Sequence, residues 1–259
     1  MFRKFVAAFV AIMMLLMLAP TSAFAAEHSV QEVEALIAQI GTVTRENRSA
    51  VERAVDAYSQ LDDAAKAEVS NVEVLTEAQQ ILGIKDALAK LDLNYDKVEH
   101  SKVWISPYSE ANETNGQCGV FLSIGINEDM DFPVLVLGME YIGDYELGMN
   151  VVKVRAGDNK YTYYRDAFDR IDGGYMMSNG SKKVVECGIR NATEFDIRVL
   201  EDILDEEESI IRFRREGYGT SENVDHAVTQ EERQALIDVI NAYGLMCLAE
   251  PEALRKALM

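Results

Sequence analysis

The hydrophobic spacing of this chain changes period once, near residue 93, and that change limits the folds open to it. Upstream, apolar residues recur at intervals of three and four: Val33, Leu36, Ile37 and Ile40, then Val51, Ala54, Val55 and Tyr58, then Leu75, Ala78 and Leu82. That interval places them on one stripe of a helix. Downstream the interval becomes two, as at Val120, Leu122, Ile124 and Ile126, which is the pattern of a strand with one face inside and one outside. The expected fold class is therefore a small α-helical bundle followed by an α+β domain with a mainly antiparallel sheet and two or three helices.

The punctuation of the chain sets the expected boundaries. Residues 26–93 read as a helical module of three to four short helices, stopped at Gly41, restarted at Thr44 and broken again around Asp62-Asp63. Residues 94–247 read as the α+β domain, and residues 248–259 as a C-terminal tail helix after Pro251. Within the α+β domain, strands are expected over 102–106, 119–126, 133–141, 149–155, 160–164, 175–177, 183–189 and 210–214. Gly157-Asp158-Asn159 and Ser178-Asn179-Gly180-Ser181 act as hairpin signals. Pro133 to Tyr141 is a continuous apolar run, as a central strand requires. Phe195, Val199, Leu200 and Ile203 form one helical stripe. Thr229 with Glu232 makes a capping box for a second helix, for which Gly244 is the expected stop.

The first 25 residues predict the compartment. Arg3 and Lys4 precede an uncharged apolar run over 5–19, and Ala23-Phe24-Ala25 supplies a cleavage site, the layout of a secretory signal peptide. The apolar run is shorter than the roughly 20 residues that span a bilayer. The expected product is secreted or extracellular, either released or held to the envelope without a covalent link, and not an integral membrane protein after cleavage.

Two stretches resemble known modules. Residues 37–82, with Ile-Gly-x-Val-Thr at Ile40 to Thr44, Ala-x-x-x-Tyr at Ala54 to Tyr58, and Lys66, Val69 and Asn71, resemble the small helical unit found in secreted and surface proteins of Gram-positive bacteria. The resemblance implies an extracellular or cell-wall setting and no catalytic residue. Residues 209–246, with the strand Ile211 to Phe213, the turn Gly217-Tyr218 and a capped helix closing on Ala242-Tyr243, resemble the end of an uncharacterised secreted bacterial α+β domain, which implies no activity.

Charge and motif content narrow the functions further. The chain carries 25 Lys and Arg against 44 Asp and Glu, a net charge of -19. A surface of that sign disfavours nucleic acid, whose phosphates need cations, and anionic membranes. The acidity is spread over both halves, which favours solubility over a single docking patch. Three histidines and three cysteines, Cys118, Cys187 and Cys247, show no metal-ligand spacing, and no nucleophile elbow or phosphate loop occurs. Each cysteine falls in phase with apolar neighbours and is expected as a small buried hydrophobe. No catalytic residue, metal ligand or cofactor is expected.

The candidate binding residues are Arg212 and Arg214, a basic pair on one face of an otherwise acidic domain, and Tyr161 and Tyr163, aromatics of a kind favoured at interfaces. The expected function is a non-enzymatic binding module with a protein or cell-wall partner. The alternatives are a secreted hydrolase acting on envelope polymers and an acidic inhibitor or immunity-type protein that masks a basic partner.

Overall fold

A computed structural model of the chain describes residues 28–109, 116–127, 132–178, 181–217 and 220–259. The signal-peptide pattern, the hairpin turn at Asn179-Gly180 and the acidic loop over 128–131 lie outside the described residues. The chain divides into two compact units, one made of residues up to Ala89 together with Gly244–Met259, the other of Lys90–Tyr243.

The first unit is helical. Helices α1 (Val30–Ala38), α2 (Arg48–Ser59), α3 (Asp63–Glu68) and α4 (Val72–Leu88) share a core of Val33, Ile37, Ile40, Val51, Ala54, Leu61, Leu75, Ala78 and Leu82. Ser29 opens α1 with a reciprocal capping box to Glu32, and the Asp62 carboxylate caps α3 through the Ala65 amide at 2.8 Å. Helix α4 buries more than one face, because Ile81, Ile84, Ala87 and Leu88 are also removed from water. The C-terminal helix α7 (Pro251–Leu258) packs against α4, burying Ala253, Leu254 and Ala257. Lys256 reaches Glu77 at 2.7 Å, and the Glu250 amide donates to Gln80 at 3.2 Å.

The expected fold class is corrected on two points. No self-contained N-terminal bundle forms: the helices between residues 30 and 88 group with the other end of the chain, because α4 carries apolar residues beyond the stripe that its N-terminal neighbours cover. The rest is dominated by antiparallel sheet, and that sheet is two sheets rather than one.

The second unit contains strands β1 (Asp92–Asp96), β2 (Ser101–Ile105), β3 (Gly119–Asn127), β4 (Val134–Gly143), β5 (Val151–Ala156), β6 (Asn159–Tyr164), β7 (Arg170–Ser178), β8 (Ser181–Asn191), β9 (Ser209–Gly217) and β10 (Thr220–Ala227). Helix α5 (Glu194–Asp205) precedes β9, and α6 (Gln230–Leu248) follows β10. Six strands form one sheet in the order β1-β2-β3-β4-β8-β7, and four form another in the order β10-β9-β5-β6. Every pairing is antiparallel. The apolar run in β4 lies between β3 and β8, where a strand buried on both faces belongs.

β1 and β10 are edge strands with little apolar alternation, DLNYD and TSENVDHA, and for that reason hydrophobic period did not announce them. Gly244 does not end α6, which continues to Leu248.

The sheets face each other through aromatic and acidic contacts. Tyr141 of β4 meets Phe213 of β9 with ring centroids 6.4 Å apart, and its hydroxyl donates to the Tyr145 carbonyl at 2.9 Å. The buried Glu186 carboxylate on β8 accepts the Gly148 amide at 2.8 Å and the Met149 amide beside it, and so fixes the approach to β5 in the other sheet. The Tyr141 ring needs the space above Gly143, where an added Cβ would lie 1.9 Å from the Tyr141 oxygen. Since Tyr141 is wholly buried and its hydroxyl is engaged, that ring cannot swing away cheaply. Replacing Gly143 with Ala is expected to cost about 1–3 kcal/mol, as overpacking of a filled core does. A urea-unfolding midpoint unchanged from the parent chain would contradict this account.

Candidate anion-binding face

Strand alternation sends the four sequence candidates to opposite sides of the four-stranded sheet. Tyr161 and Tyr163 sit in register with Val154 and Val152 of β5, which in turn face Ile211 and Phe213 of β9. All six belong to the inner face. Arg212 and Arg214 have the other parity and belong to the outer face. The structure therefore brings the two arginines together and the two tyrosines together, and separates the pairs by the thickness of the sheet.

The tyrosines pack rather than present. Tyr163 is buried, stacks on Phe168 at 5.9 Å and meets the edge of Phe195 at 5.5 Å. Burial, with the Asp196 carboxylate nearby, pushes its hydroxyl well above the usual tyrosine range. Tyr161 touches Phe195 at 5.7 Å and donates its hydroxyl to Asp202 of α5, a bond that raises its ionisation too. Both rings hold α5 to the inner face of the sheet.

The outer face is different in kind. Register aligns Thr162, Lys153, Arg212 and Asp225 in one row across β6, β5, β9 and β10. The next row is Lys160, Arg155, Ile210 and Ala227, and the row on the other side is Tyr164, Val151, Arg214 and Asn223. Rows lie about 6.7 Å apart along a strand and strands about 4.8 Å apart. Glu216, of the same parity, ends the β9 column. Among the described residues this face thus carries five cations (Lys153, Arg155, Lys160, Arg212, Arg214) and two carboxylates (Glu216, Asp225). It belongs to a unit, Lys90–Tyr243, with 16 Lys and Arg against 30 Asp and Glu, net -14. The balance of charge on this face is opposite in sign to that of the unit as a whole.

The two carboxylates hold three of the cations. Arg212 grips Asp225 with both arms, Nε to Oδ1 at 2.6 Å and Nη2 to Oδ2 at 2.7 Å. These bonds hold the Asp225 carboxyl below the ordinary carboxylate range. One oxygen of Glu216 sits between Lys153 Nζ at 3.3 Å and Arg214 Nη1 at 3.1 Å. Arg155 and Lys160, both exposed, make no ion pair among the described residues. The side chains of Arg212 and Asp225 are each 45% exposed, so their pair is screened by water and contributes at most about 1 kcal/mol.

Lys153, Arg155, Lys160, Glu216 and Asp225 are the members of this face that sequence reasoning missed. The signal available was the alternation Val-Lys-Val-Arg over 152–155, which has the same parity as Arg-Phe-Arg over 212–214. What no single sequence displays is the register that lays the two strands side by side.

The cysteines do not assemble a nucleophile. Cys118 is half-buried, with its sulfur 3.4 Å from the Ile142 carbonyl and 3.3 Å from the Ile142 amide. Burial raises its ionisation, and the carboxylates of Glu140 and Glu232 add to that. His226 is engaged elsewhere: its Nε2 lies 2.8 Å from each oxygen of Glu232, the residue that caps α6 through Thr229. Cys187 is buried as expected, but Cys247 is exposed, because α6 runs on past Gly244 and turns that position outward. No group of three or more metal-ligating side chains occurs among the described residues. Nor is any helix among them long and apolar enough to cross a membrane.

No family model, curated protein or solved structure matches the chain.

The thiol environments predict an order of reactivity. Iodoacetamide at about pH 8 should modify Cys247 first, with Cys118 and Cys187 protected until denaturant is added. Peptide mapping that found native Cys118 alkylated as fast as Cys247 would require a thiolate-stabilising site that these contacts do not provide.

Proposed function

We propose that the protein is a secreted, non-enzymatic binding module of the cell envelope, and that the outer face of its four-stranded sheet is the binding surface. One observation carries this reading: an exposed face with five cations and two carboxylates in a unit of net charge -14. The signal-peptide layout of the first 25 residues supports the compartment. The engagement of Cys118 with backbone, and of His226 with Glu232, supports a structural use for the groups that a hydrolase would need.

Physically, such a face works by contrast. The acidic remainder repels anions from everywhere else, so an anionic partner approaches in the one orientation where attraction exceeds repulsion. The attraction is between solvated groups and is steeply screened by salt.

Co-sedimentation of the full mature chain with purified cell-wall sacculi tests the proposal. The chain should pellet at about 50 mM salt and return to the supernatant at about 500 mM, where the screening length falls to a few ångströms. A triple variant, Arg155→Ala with Arg212→Ala and Arg214→Ala, should stay in the supernatant at both. Pelleting of that variant to the same extent as the parent would overturn the assignment of this face.

A further inference from the structure

Resting on that reading, we propose that the partner is an extended phosphate-bearing polymer of the envelope, laid across the rows of the four-stranded sheet, and that Asp225 and Glu216 occupy its phosphate positions in the unliganded chain.

The arrangement of the cations argues for a polymer rather than a small anion. They are spread over β6, β5 and β9 on a pleated, solvent-facing surface, and among the described residues neither carboxylate partner is shielded: the side chains of Glu216 and Asp225 are 37% and 45% exposed. One phosphate on such a surface gains little, because an ion pair between exposed, hydrated groups is weak. A chain that carries a charge at each repeat converts several such contacts into one event, since the later ones form at high effective concentration. The face is also small, three rows by four strands, and the surrounding unit is acidic. A stiff, densely charged duplex would overrun its edge into like charge, whereas a flexible single chain can stay within it.

The two carboxylates argue for phosphate rather than another carboxylate. Arg212 already holds a carboxylate through both arms, and Lys153 and Arg214 already share one. A carboxylate polymer offers those cations the same chemistry they have, from a partner that is not tethered beside them. The two non-bridging oxygens of an in-chain phosphate sit on a tetrahedral centre of an untethered partner, so one can bond Arg212 while the other turns toward a neighbouring cation, whereas both oxygens of the tethered Asp225 carboxylate are taken by Arg212 alone. Lys153 is directly in register with Arg212, and Arg155 lies one row away on the same strand as Lys153, near enough to help depress Asp225. Arg155 and Lys160 would receive the polymer first; Arg212, Lys153 and Arg214 would follow as Asp225 and Glu216 are displaced.

The carboxylates therefore set the affinity, and removing one should strengthen binding. That sign separates this inference from simple adhesion of an arginine-rich surface, in which Asp225 would be a bystander. Asp225 sits on an edge strand in an exposed pair, so Asp225→Asn leaves the fold intact, and the thermal midpoint serves as the control.

The experiment uses the full mature chain with three probes of matched charge: linear inorganic polyphosphate, polyglutamate and a single-stranded oligonucleotide, each followed by fluorescence anisotropy over a salt series. Polyphosphate should bind with a log–log salt slope of about -2 to -3, as three or four phosphate contacts on a flexible chain give. Polyglutamate should bind at least about tenfold more weakly. Arg155→Ala with Lys160→Ala should weaken polyphosphate binding about tenfold, and Asp225→Asn should strengthen it about threefold or more. Equal binding of polyglutamate, tighter binding of the oligonucleotide, or an Asp225→Asn chain that binds no better than the parent would each overturn the inference. If polyphosphate fails to bind while sacculi still pellet the parent chain and not the triple variant, the phosphate inference falls and the binding face stands. If the triple variant pellets like the parent, both fall.

Discussion

Three carboxylates, Glu186, Asp196 and Glu232, are almost wholly removed from water in a chain of net charge -19, and the geometry of the sheet-rich unit depends on them. A buried carboxylate is tolerated only where donors replace its hydration. Glu186 takes two successive amides of the segment that enters β5. Asp196 closes the capping box of α5 with Thr193 and lies 3.3 Å from Arg190 of β8. Glu232 does the same for α6 with Thr229, and also meets His226 of β10 and the Val120 amide of β3. Two of the three lie at helix N-termini, where the peptide dipoles favour negative charge. Each acid joins segments distant in sequence, so the relative placement of strands and helices is fixed by groups that cannot leave their donors without a large desolvation cost.

The inner face of the four-stranded sheet follows from that placement, and the outer face from the inner. Val152, Val154, Ile211 and Phe213 are fully buried, so the residues between them in β5 and β9 must point away. Lys153 and Arg212 intervene in this way, and Arg155 and Arg214 continue the same alternation. The basic surface is thus the other side of a packing requirement: a one-residue slip of β9 against β5 would put guanidinium groups in the core and Phe213 in water.

Much of this was legible in the sequence, for identifiable reasons. β3, β4 and β9 alternate cleanly or run continuously apolar, and hydrophobic period locates β3 and β4 within two residues at each end and β9 within three. The capping box at Thr229 and Glu232 marks the start of α6 because its chemistry is local. β1 and β10 were illegible, because an edge strand exposed on its surface needs no apolar code. The end of α6 was misjudged, because Gly244 is held inside the helix by the burial of Ala242 and Met246 on either side, which outweighs its poor propensity. The basic face was half legible. Arg212 and Arg214 stand out as neighbours in the sequence, whereas Lys153 and Arg155 join them only through strand register; strand tyrosines such as Tyr161 and Tyr163 suit an interface or a core edge equally by residue type, and here their rings pack beneath α5.

The pairing of α7 with α4 has a consequence for the order in which the chain can be completed. Residues 251–258 cover a helix that ends at Leu88, so everything from Lys90 to Tyr243 is threaded between two parts of one helical core. A chain that emerges N-terminus first presents α4 with its second apolar face bare until α7 has followed. The sheet-rich insert can mature on the way, but the helical unit closes last. A chain that stops short of Pro251 leaves that apolar surface open, and quality-control proteases and chaperones recognise surfaces of that kind.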